Sequence, residues 1–236
     1  MDNIDQNSTR PQDTLGLRKE YLADILGARR MDALKRIMAA YRSGYAIPDI
    51  YIEIFQESLY ELGRLWESNR ISVADEHMGT AITQFVMSNL YQYLEITDVV
   101  HGRLVVSGVQ GELHQVGANM IADVLEADGW DVRFLGANVP PRDIIKAVRE
   151  HRADLLGISA TMYASLPEVV QLVGMVRQEF GEKSPRILLG GGAFSGLSVL
   201  PPELEGCLVV RDLKDALTLT RTFSQGGVSS EKGSEA

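Results

Sequence analysis

The second half of the chain alternates short apolar runs with longer amphipathic stretches, and this alternation constrains the fold more than any other feature. The apolar runs predict strands near 103–109, 131–135, 154–159, 186–190 and 207–210. Helical patterns lie between and after them, near 115–128, 141–151, 165–180 and 213–223. Strands that are apolar throughout belong to a parallel sheet covered by helices on both faces. The sequence therefore predicts an α/β domain over 97–224, doubly wound, with five parallel strands in a flavodoxin-like order.

The first half shows helical periodicity and no strand pattern. Helices are predicted over about 15–26 and 29–43, from near Pro48 to an end at Trp66, and from the N-cap Ser72 to about 95. The third helix has an apolar stripe composed of Tyr51, Phe55, Leu59, Leu62 and Trp66. Short loops between amphipathic helices predict an antiparallel four-helix bundle over 14–96. The polar ends, 1–13 and 225–236, are predicted to be flexible tails.

The charge balance excludes several classes of partner. The chain has 23 Lys and Arg against 32 Asp and Glu, a formal net charge of -9, which disfavours binding to nucleic acid or to an anionic membrane. Cys207 is the one cysteine, so neither an internal disulfide nor a thiolate metal cluster can form. This suits a reducing compartment. No apolar run approaches a membrane span and no signal core is evident, so we predict a cytoplasmic protein.

The loop from Gly111 to Gly117 is the first candidate for a ligand site. It places His114 between the first strand and its helix, outside the carboxyl end of a strand, where open α/β sheets bind ligands. The ends of two further strands carry Ser159 with Thr161, and Gly190, Gly191 and Gly192 with Phe194. All three segments are expected at the same edge of the sheet. Neither the glycine pattern of a dinucleotide site nor the acidic residues of a phosphate-accepting receiver domain is present.

Glu112 and His114 are expected to act as a pair. Residues i and i+2 of an extended segment point to the same side, so the carboxylate can reach one imidazole nitrogen. Such a contact orients the other nitrogen and raises its basicity, as in a metal-bound histidine. The glycines would let a bulky ligand lie against the backbone. Taken alone, His114 would favour a tight βα turn with a solvent-exposed imidazole over a ligand site.

Taken together, these segments resemble the cobalamin-binding domain family. Its pattern is Asp-x-His-x-x-Gly, then Ser-x-Leu/Thr, then Gly-Gly, and this chain has Glu112-x-His114-x-x-Gly117, Ser159-x-Thr161 and Gly190-Gly191. The resemblance implies that His114 ligates the cobalt from below. It also implies that the benzimidazole of the cofactor occupies a slot beside Ser159 and the glycines. Glu112 departs from the aspartate of the family, and the extra methylene could shift the contact with His114.

A second motif lies in the helical half. Trp66 is followed after nine residues by Glu76 and His77, a spacing similar to the motif of CarH-type adenosylcobalamin photoreceptors. That resemblance implies a bundle capping the cofactor, with Trp66 against the 5′-deoxyadenosyl group and Glu76 and His77 contacting or bracing it. Two features depart from those proteins. Glu67 replaces a histidine that follows the tryptophan in the best-known members, and a polar segment precedes the bundle where they have a DNA-binding domain.

These resemblances lead to a prediction of function with an open alternative. We predict a cobalamin-binding light sensor rather than an enzyme, with adenosylcobalamin as cofactor and output through a homo-oligomer or a separate protein partner. The related photocobilins also bind a bilin, but the sequence identifies no bilin site. The alternative is a corrinoid carrier of a methyltransferase system, which also places a helical bundle before this domain. His101 and His151 are expected to be structural.

Overall fold

The computed structural model describes residues 13–98, 100–195 and 197–226. The chain divides into two compact units, one ending at Leu94 and the other beginning at Glu95. The predicted tails at 1–13 and 225–236 lie outside the described residues, apart from Asp13 and the end of the last helix. Within the described residues, no helix combines the length and the apolar character that crossing a bilayer requires.

The first unit contains the predicted helices, with different bounds. They are α1 (Thr14–Leu26), α2 (Arg30–Arg42), α3 (Ile47–Asp49), a π-helix (Ile50–Gln56), α4 (Glu57–Glu67) and α5 (Val73–Tyr91). The helix α3, the π-helix and α4 follow one another without a break, so they form the single helix predicted from Pro48. The helix α5 ends at Tyr91 rather than near 95. A capping box fixes its start, since Ser72 and Asp75 each accept a backbone N–H of the other.

The π-helix changes which residues of the third helix face the core. A π turn contains an extra residue, so the side chains after it are rotated relative to a regular α-helix. Tyr51, Phe55 and Leu62 are fully buried as predicted, whereas Leu59 is only half-buried and Trp66 is 38% exposed. The predicted stripe is therefore correct as far as Phe55 and is interrupted beyond it.

The second unit is the predicted α/β domain. Its elements are β1 (Gly102–Gly108), α6 (Val116–Ala127), β2 (Trp130–Phe134), α7 (Pro141–His151), β3 (Leu155–Ser159), α8 (Leu166–Phe180), β4 (Arg186–Gly190), α9 (Gly192–Ser195), β5 (Leu208–Val210) and α10 (Leu213–Gly226). The strands form one parallel sheet in the order β2-β1-β3-β4-β5. This is the flavodoxin-like order, so the predicted fold class is confirmed.

Apolar side chains cover both faces of this sheet, as the uninterrupted apolar strands predict. On one face Val105, Leu156 and Leu189 pack in a cluster with residues of α7 and α8. On the other face Leu104 and Leu188 pack with residues of α6 and α10. The two layers leave the carboxyl ends of the strands as the edge where loops can present polar side chains.

Two histidines have structural surroundings, in line with their expected roles. His151 is buried at the end of α7, and its Nε2 donates a hydrogen bond to the carbonyl oxygen of Asp131 at 2.8 Å. His101 lies in the segment before β1, with Nε2 3.7 Å from Oδ2 of Asp128.

Candidate functional site

Three loops at the carboxyl edge of the sheet build the site. They follow β1, β3 and β4, the strands that carry the predicted motifs. The last residues of these strands, Gly108, Ser159 and Gly190, lie in one register row across the sheet. The fold therefore brings the three segments together at one edge of the sheet, as predicted.

Glu112 is the centre of the hydrogen-bond network at this edge, although its side chain is only 1% exposed. Its Oε1 accepts from the backbone N of His114 at 2.9 Å and lies 2.5 Å from the imidazole Nδ1 of the same residue. Its Oε2 accepts from the backbone N of Thr161 at 2.7 Å, from the backbone N of Met162 at 3.2 Å and from Oγ of Ser165 at 3.2 Å. One carboxylate thus joins the loop after β1 to the loop after β3.

These hydrogen bonds decide the charge of Glu112. Burial acts to raise its pKa, but the hydrogen bonds from the side chain and backbone of His114 and from the amides of Thr161 and Met162 outweigh it and lower the pKa to about 2. Glu112 is therefore ionised at neutral pH and can only accept hydrogen bonds. The proton between the two side chains consequently belongs to Nδ1 of His114.

This tautomer prepares His114 to act as a metal ligand. With the proton on Nδ1, the lone pair of the neutral ring lies on Nε2, and the His114 side chain is 46% exposed. A carboxylate behind a histidine in this way fixes the ring and increases its basicity toward a metal. Glu112 thus reaches the imidazole, as the aspartate of the family is expected to do, in spite of its extra methylene.

The glycines after β4 have a different immediate role from the one predicted. Gly191 has φ of +107°, and a Cβ on it would lie 2.3 Å from the carbonyl oxygen of Ala160. A Cβ on Gly192 would lie 2.9 Å from the carbonyl oxygen of Thr161. These two glycines admit the backbone of the loop after β3, and that loop supplies the amides that hold Glu112. Their contact with a cofactor remains a prediction.

A row of small residues lies on the face of the sheet that α6 covers. Ser159 is half-buried between Gly108 and Gly190 on the neighbouring strands. A Cβ on Gly190 would approach side-chain carbons of Val210 and of Ile121 in α6. Gly117, in the first turn of α6, has open space where a Cβ would stand. These positions keep large side chains away from the strand ends, as a slot for a flat group requires.

The sequence did not predict the surroundings of Thr161 and Phe194. Thr161 contributes its backbone N–H to Glu112. The side chain of Phe194 is buried in the apolar cluster on the α7 and α8 face of the sheet. Its surroundings are those of a core residue, so direct contact with a cofactor remains a prediction for Phe194.

The helical unit holds the remaining predicted residues. His77 Nδ1 lies 2.6 Å from Oε2 of Glu76, and Oε1 of Glu76 accepts from the Thr80 hydroxyl at 2.9 Å. Trp66 and Glu67 are at the end of α4, before the turn that leads to α5, and both are exposed. Glu76 and His77 do form a pair, whereas their contact with a cofactor remains a prediction.

Two further residues position the site, and the motifs of the sequence do not point to them. Ser165 donates to Glu112, although its place just before α8 suggests only a helix cap. Asn138, which has φ of +55°, accepts the backbone N–H of Gly111 through Oδ1 at 2.8 Å. An asparagine between predicted elements signals a turn, and in the structure it attaches the loop after β2 to the histidine loop.

The donor set fits a metal that arrives in a macrocycle. Among the described residues no three His, Cys, Asp or Glu side chains converge to hold a bare ion, so a metal centre built from protein ligands alone is not formed there. The exposed imidazole of His114, oriented by a carboxylate, would hold the cobalt of a corrin, which would bring the nitrogen ligands that such a site lacks.

Comparisons with known proteins agree with this geometry. Two family models, both described as B12 binding domain, match residues 102–210 and residues 17–91. A dimethylamine corrinoid protein of Methanosarcina mazei is 29% identical over 90 residues, which are 38% of this chain and 54% of that protein. Another, from Methanosarcina barkeri, is 29% identical over 133 residues, 56% of this chain and 60% of that protein. The chain thus spans little more than half the length of these two relatives.

One solved structure shares the fold. The Methanosarcina barkeri monomethylamine corrinoid protein superposes with a TM-score of 0.78, covering 89% of this chain and 99% of that one at 18% identity. At this identity the likeness concerns the fold.

The comparisons test the predicted protein family and the prediction of a binding protein. The cobalamin-binding family is confirmed, while the particular likeness to CarH-type photoreceptors is not supported, because the named relatives are corrinoid proteins. Those names agree with the prediction of a binding protein rather than an enzyme. The chain belongs to the family of B12-binding-domain proteins, and its cofactor is cobalamin.

Proposed function

We propose that the chain is a corrinoid carrier that works with a separate methyltransferase. The observation that carries this proposal is the Glu112–His114 pair, found in a chain whose named relatives are dimethylamine corrinoid proteins. Cobalamin supplies, when bound, a cobalt centre that can take up a methyl group and give it up. This function was the alternative at the level of sequence, and the comparisons favour it over light sensing.

The residues of the chain would serve such a carrier in three ways. His114 offers the lower ligand, Glu112 holds the proton on its Nδ1, and the amides of the loop after β3 hold Glu112. Because Glu112 orients the His114 ring and raises its basicity, it would set the strength with which the imidazole holds the cobalt of a bound cobalamin.

The light sensor is the second candidate, and the motif in the helical unit favours it. Trp66 is partly exposed, and Glu76 and His77 form a pair on the next helix. Adenosylcobalamin would be the cofactor in that case, and a change of oligomeric state or of a protein partner would carry the signal. A bilin would be an additional ligand, for which no described residue provides a specific argument.

An experiment on the full chain separates the two candidates. The protein is loaded in the dark with methylcobalamin or adenosylcobalamin, and its sedimentation and amide hydrogen exchange are recorded before and after green light. Alkylcobalamins are photolabile on their own, so the readout must come from the protein. The carrier predicts the same sedimentation and exchange in both states. A light-driven change of assembly with adenosylcobalamin would overturn the carrier proposal in favour of the sensor.

A dark reaction tests the carrier directly. Protein loaded with isotopically labelled methylcobalamin is mixed with a corrinoid:thiol methyltransferase and a thiol, and the labelled thioether is measured. Transfer from the protein-bound cofactor is expected to exceed transfer from the same amount of heat-denatured holoprotein. Equal rates would contradict the proposal, because the fold would then contribute nothing to the transfer.

A further inference from the structure

A cleft lies at the opposite edge of the sheet from the histidine site. It has a volume of about 490 Å³ and is formed at the amino ends of β4 and β5 by residues that include Arg177, Ser184, Arg186, Cys207, Leu208 and Phe223. This volume falls in the range of small-molecule sites, roughly 300–1,000 Å³. Because parallel strands all begin at one edge and end at the other, the cleft is separate from the cobalamin site.

The charge of the cleft is opposite to that of the chain. Two arginines line it and no acidic side chain does, although Asp and Glu outnumber Lys and Arg by 32 to 23. Within the described part of the chain, neither Arg177 nor Arg186 forms an ion pair with a carboxylate. Arginines gathered without acidic partners create a local positive potential that attracts anions.

The two guanidinium groups are held in place in different ways. Arg177 donates to the carbonyl oxygens of Glu203 and Glu205 and to the Cys207 sulfur. These contacts use three of the five N–H groups of a guanidinium, so two remain for other acceptors. The Arg186 guanidinium lies over the Phe223 ring, 4.5 Å from its centroid, which fixes the group by a cation–π contact.

The remaining walls of the cleft are mostly apolar. Ile187, Leu208 and Phe223 supply carbon surface, and Ser184 supplies a hydroxyl. A cavity of this kind binds a ligand by its apolar body and orients it by a few polar groups. A bare inorganic anion would satisfy the arginines and leave the apolar walls uncovered.

We propose that this cleft binds a small organic anion, in which a phosphate or carboxylate group is attached to a flat apolar body. The anionic group would accept hydrogen bonds from Arg186 and Arg177, whose planar donors match the geometry of both groups. The apolar body would lie against Leu208 and Phe223. This proposal does not rest on the methyl-carrier function. The cleft would bind the same ligand in a corrinoid carrier and in a light sensor.

Cys207 provides a specific readout, because it is the one cysteine of the chain and lines the cleft. The cobalamin-loaded full chain is treated with N-ethylmaleimide at mildly alkaline pH, and alkylation is followed by intact mass. Phenyl phosphate is the probe. Phenol is the control that has the ring without the charge, and inorganic phosphate is the control that has the charge without the ring. Calorimetry measures the affinity of each compound for the same protein.

We expect phenyl phosphate to bind with one-to-one stoichiometry and to slow the alkylation of Cys207 saturably, and phenol to do neither. Inorganic phosphate should bind more weakly than phenyl phosphate. The substitution Arg186→Met should weaken phenyl phosphate binding by about tenfold or more, since a hydrogen bond to a charged group is lost. Arg149→Met is the control, because Arg149 lies over the Phe180 ring outside the cleft, and it should leave binding unchanged.

Three results would overturn the proposal. Equal protection by phenol would show an apolar cleft that does not recognise an anion. Unchanged affinity in a folded Arg186→Met protein would remove the role of the arginine, and thermal unfolding establishes that the variant is folded. Absence of binding by the wild-type protein would mean that the cleft is not a site for this class of ligand.

Discussion

Glu112 Oε1 lies 2.5 Å from His114 Nδ1, while Oε2 of the same carboxylate accepts hydrogen bonds from the loop after β3. A buried acid therefore determines both the tautomer of the histidine and the position of a second loop.

Replacing the histidine tests the assignment of the lower ligand. In His114→Ala, the bound cobalamin should lose the visible spectrum of a histidine-ligated, base-off cofactor. The His101→Ala protein is the control, since His101 lies just before β1, at the edge of the sheet opposite to the site, and its spectrum should match the wild type. An unaltered spectrum in His114→Ala would show that another group ligates the cobalt.

Replacing the carboxylate tests the contribution of its charge. Glu112→Gln keeps the shape of the side chain but removes the charge that Nδ1 and the loop amides require. Loss of a partner behind a metal ligand typically weakens metal affinity by about 10–100-fold, and we expect a loss of cobalamin affinity in that range. Glu112→Asp, which restores the pattern of the family, should remain close to the wild type in affinity and spectrum. If Glu112→Gln binds as the wild type does, the carboxylate does not support the ligand.

The depressed pKa of Glu112 predicts how stability depends on pH. Its folded pKa is about 2 against an ordinary value of 4.5, so the ionised form is favoured by folding. The stabilising contribution is complete above about pH 4.5 and is lost as the pH falls through the folded pKa near 2. Urea unfolding of the cofactor-free protein should therefore show a difference between wild type and Glu112→Gln that is present at about pH 5 and shrinks as the pH falls toward 2. A difference that does not depend on pH would contradict the low pKa.

A methyl group on Gly191 should disturb the site from a distance. Gly191→Ala combines a positive φ with a contact of 2.3 Å to the Ala160 carbonyl oxygen, so we expect a loss of about 3 kcal/mol or more in the free energy of unfolding. Cobalamin affinity should fall as well, since the displaced loop carries the amides that hold Glu112. Gly44→Ala is a matched control, because φ is +101° there and nothing lies near the added methyl group. It should cost about 1–2 kcal/mol and leave cobalamin binding unchanged.

The π-helix predicts unequal effects along the third helix. Leu62 is fully buried beside Gly79 of α5, so Leu62→Ala should lower the free energy of unfolding by about 2–5 kcal/mol. Trp66→Ala should cost about 1 kcal/mol, which is typical of a side chain outside the core. Chemical unfolding of the two variants measures the difference. Equal losses would mean that Trp66 packs as the regular stripe predicts.

The sequence was sufficient to predict the strand order and the edge that carries the site, because both follow from local patterns. Apolar runs and helical spacing specify the elements, and a parallel sheet brings the ends of β1, β3 and β4 together. The interrupted stripe after Phe55 could not be predicted, since a π turn depends on packing rather than on residue type. The role of Gly191 was also hidden, because its neighbour Ala160 belongs to another loop.

The hydrogen-bond partners of Glu112 could also be predicted only in part from the sequence. Its link to His114 follows from a spacing of two residues, whereas Thr161, Met162 and Ser165 are about fifty positions away. Contacts of that range become visible only when the strands are placed side by side. Motif spacing therefore predicted the pairing of Glu112 with His114 but not the other residues that hold the carboxylate.

The carboxylate of Glu112, which binds two loops, also couples their local unfolding. Local opening of the loop after β3 would remove the amides from Oε2 of Glu112, and the acid would then be buried with fewer donors to stabilise its charge. The loop and the histidine should therefore gain or lose order together, within one cooperative opening. Amides of Thr161 and His114 would accordingly exchange with solvent at a common rate, and occupation of the cobalt site would slow both.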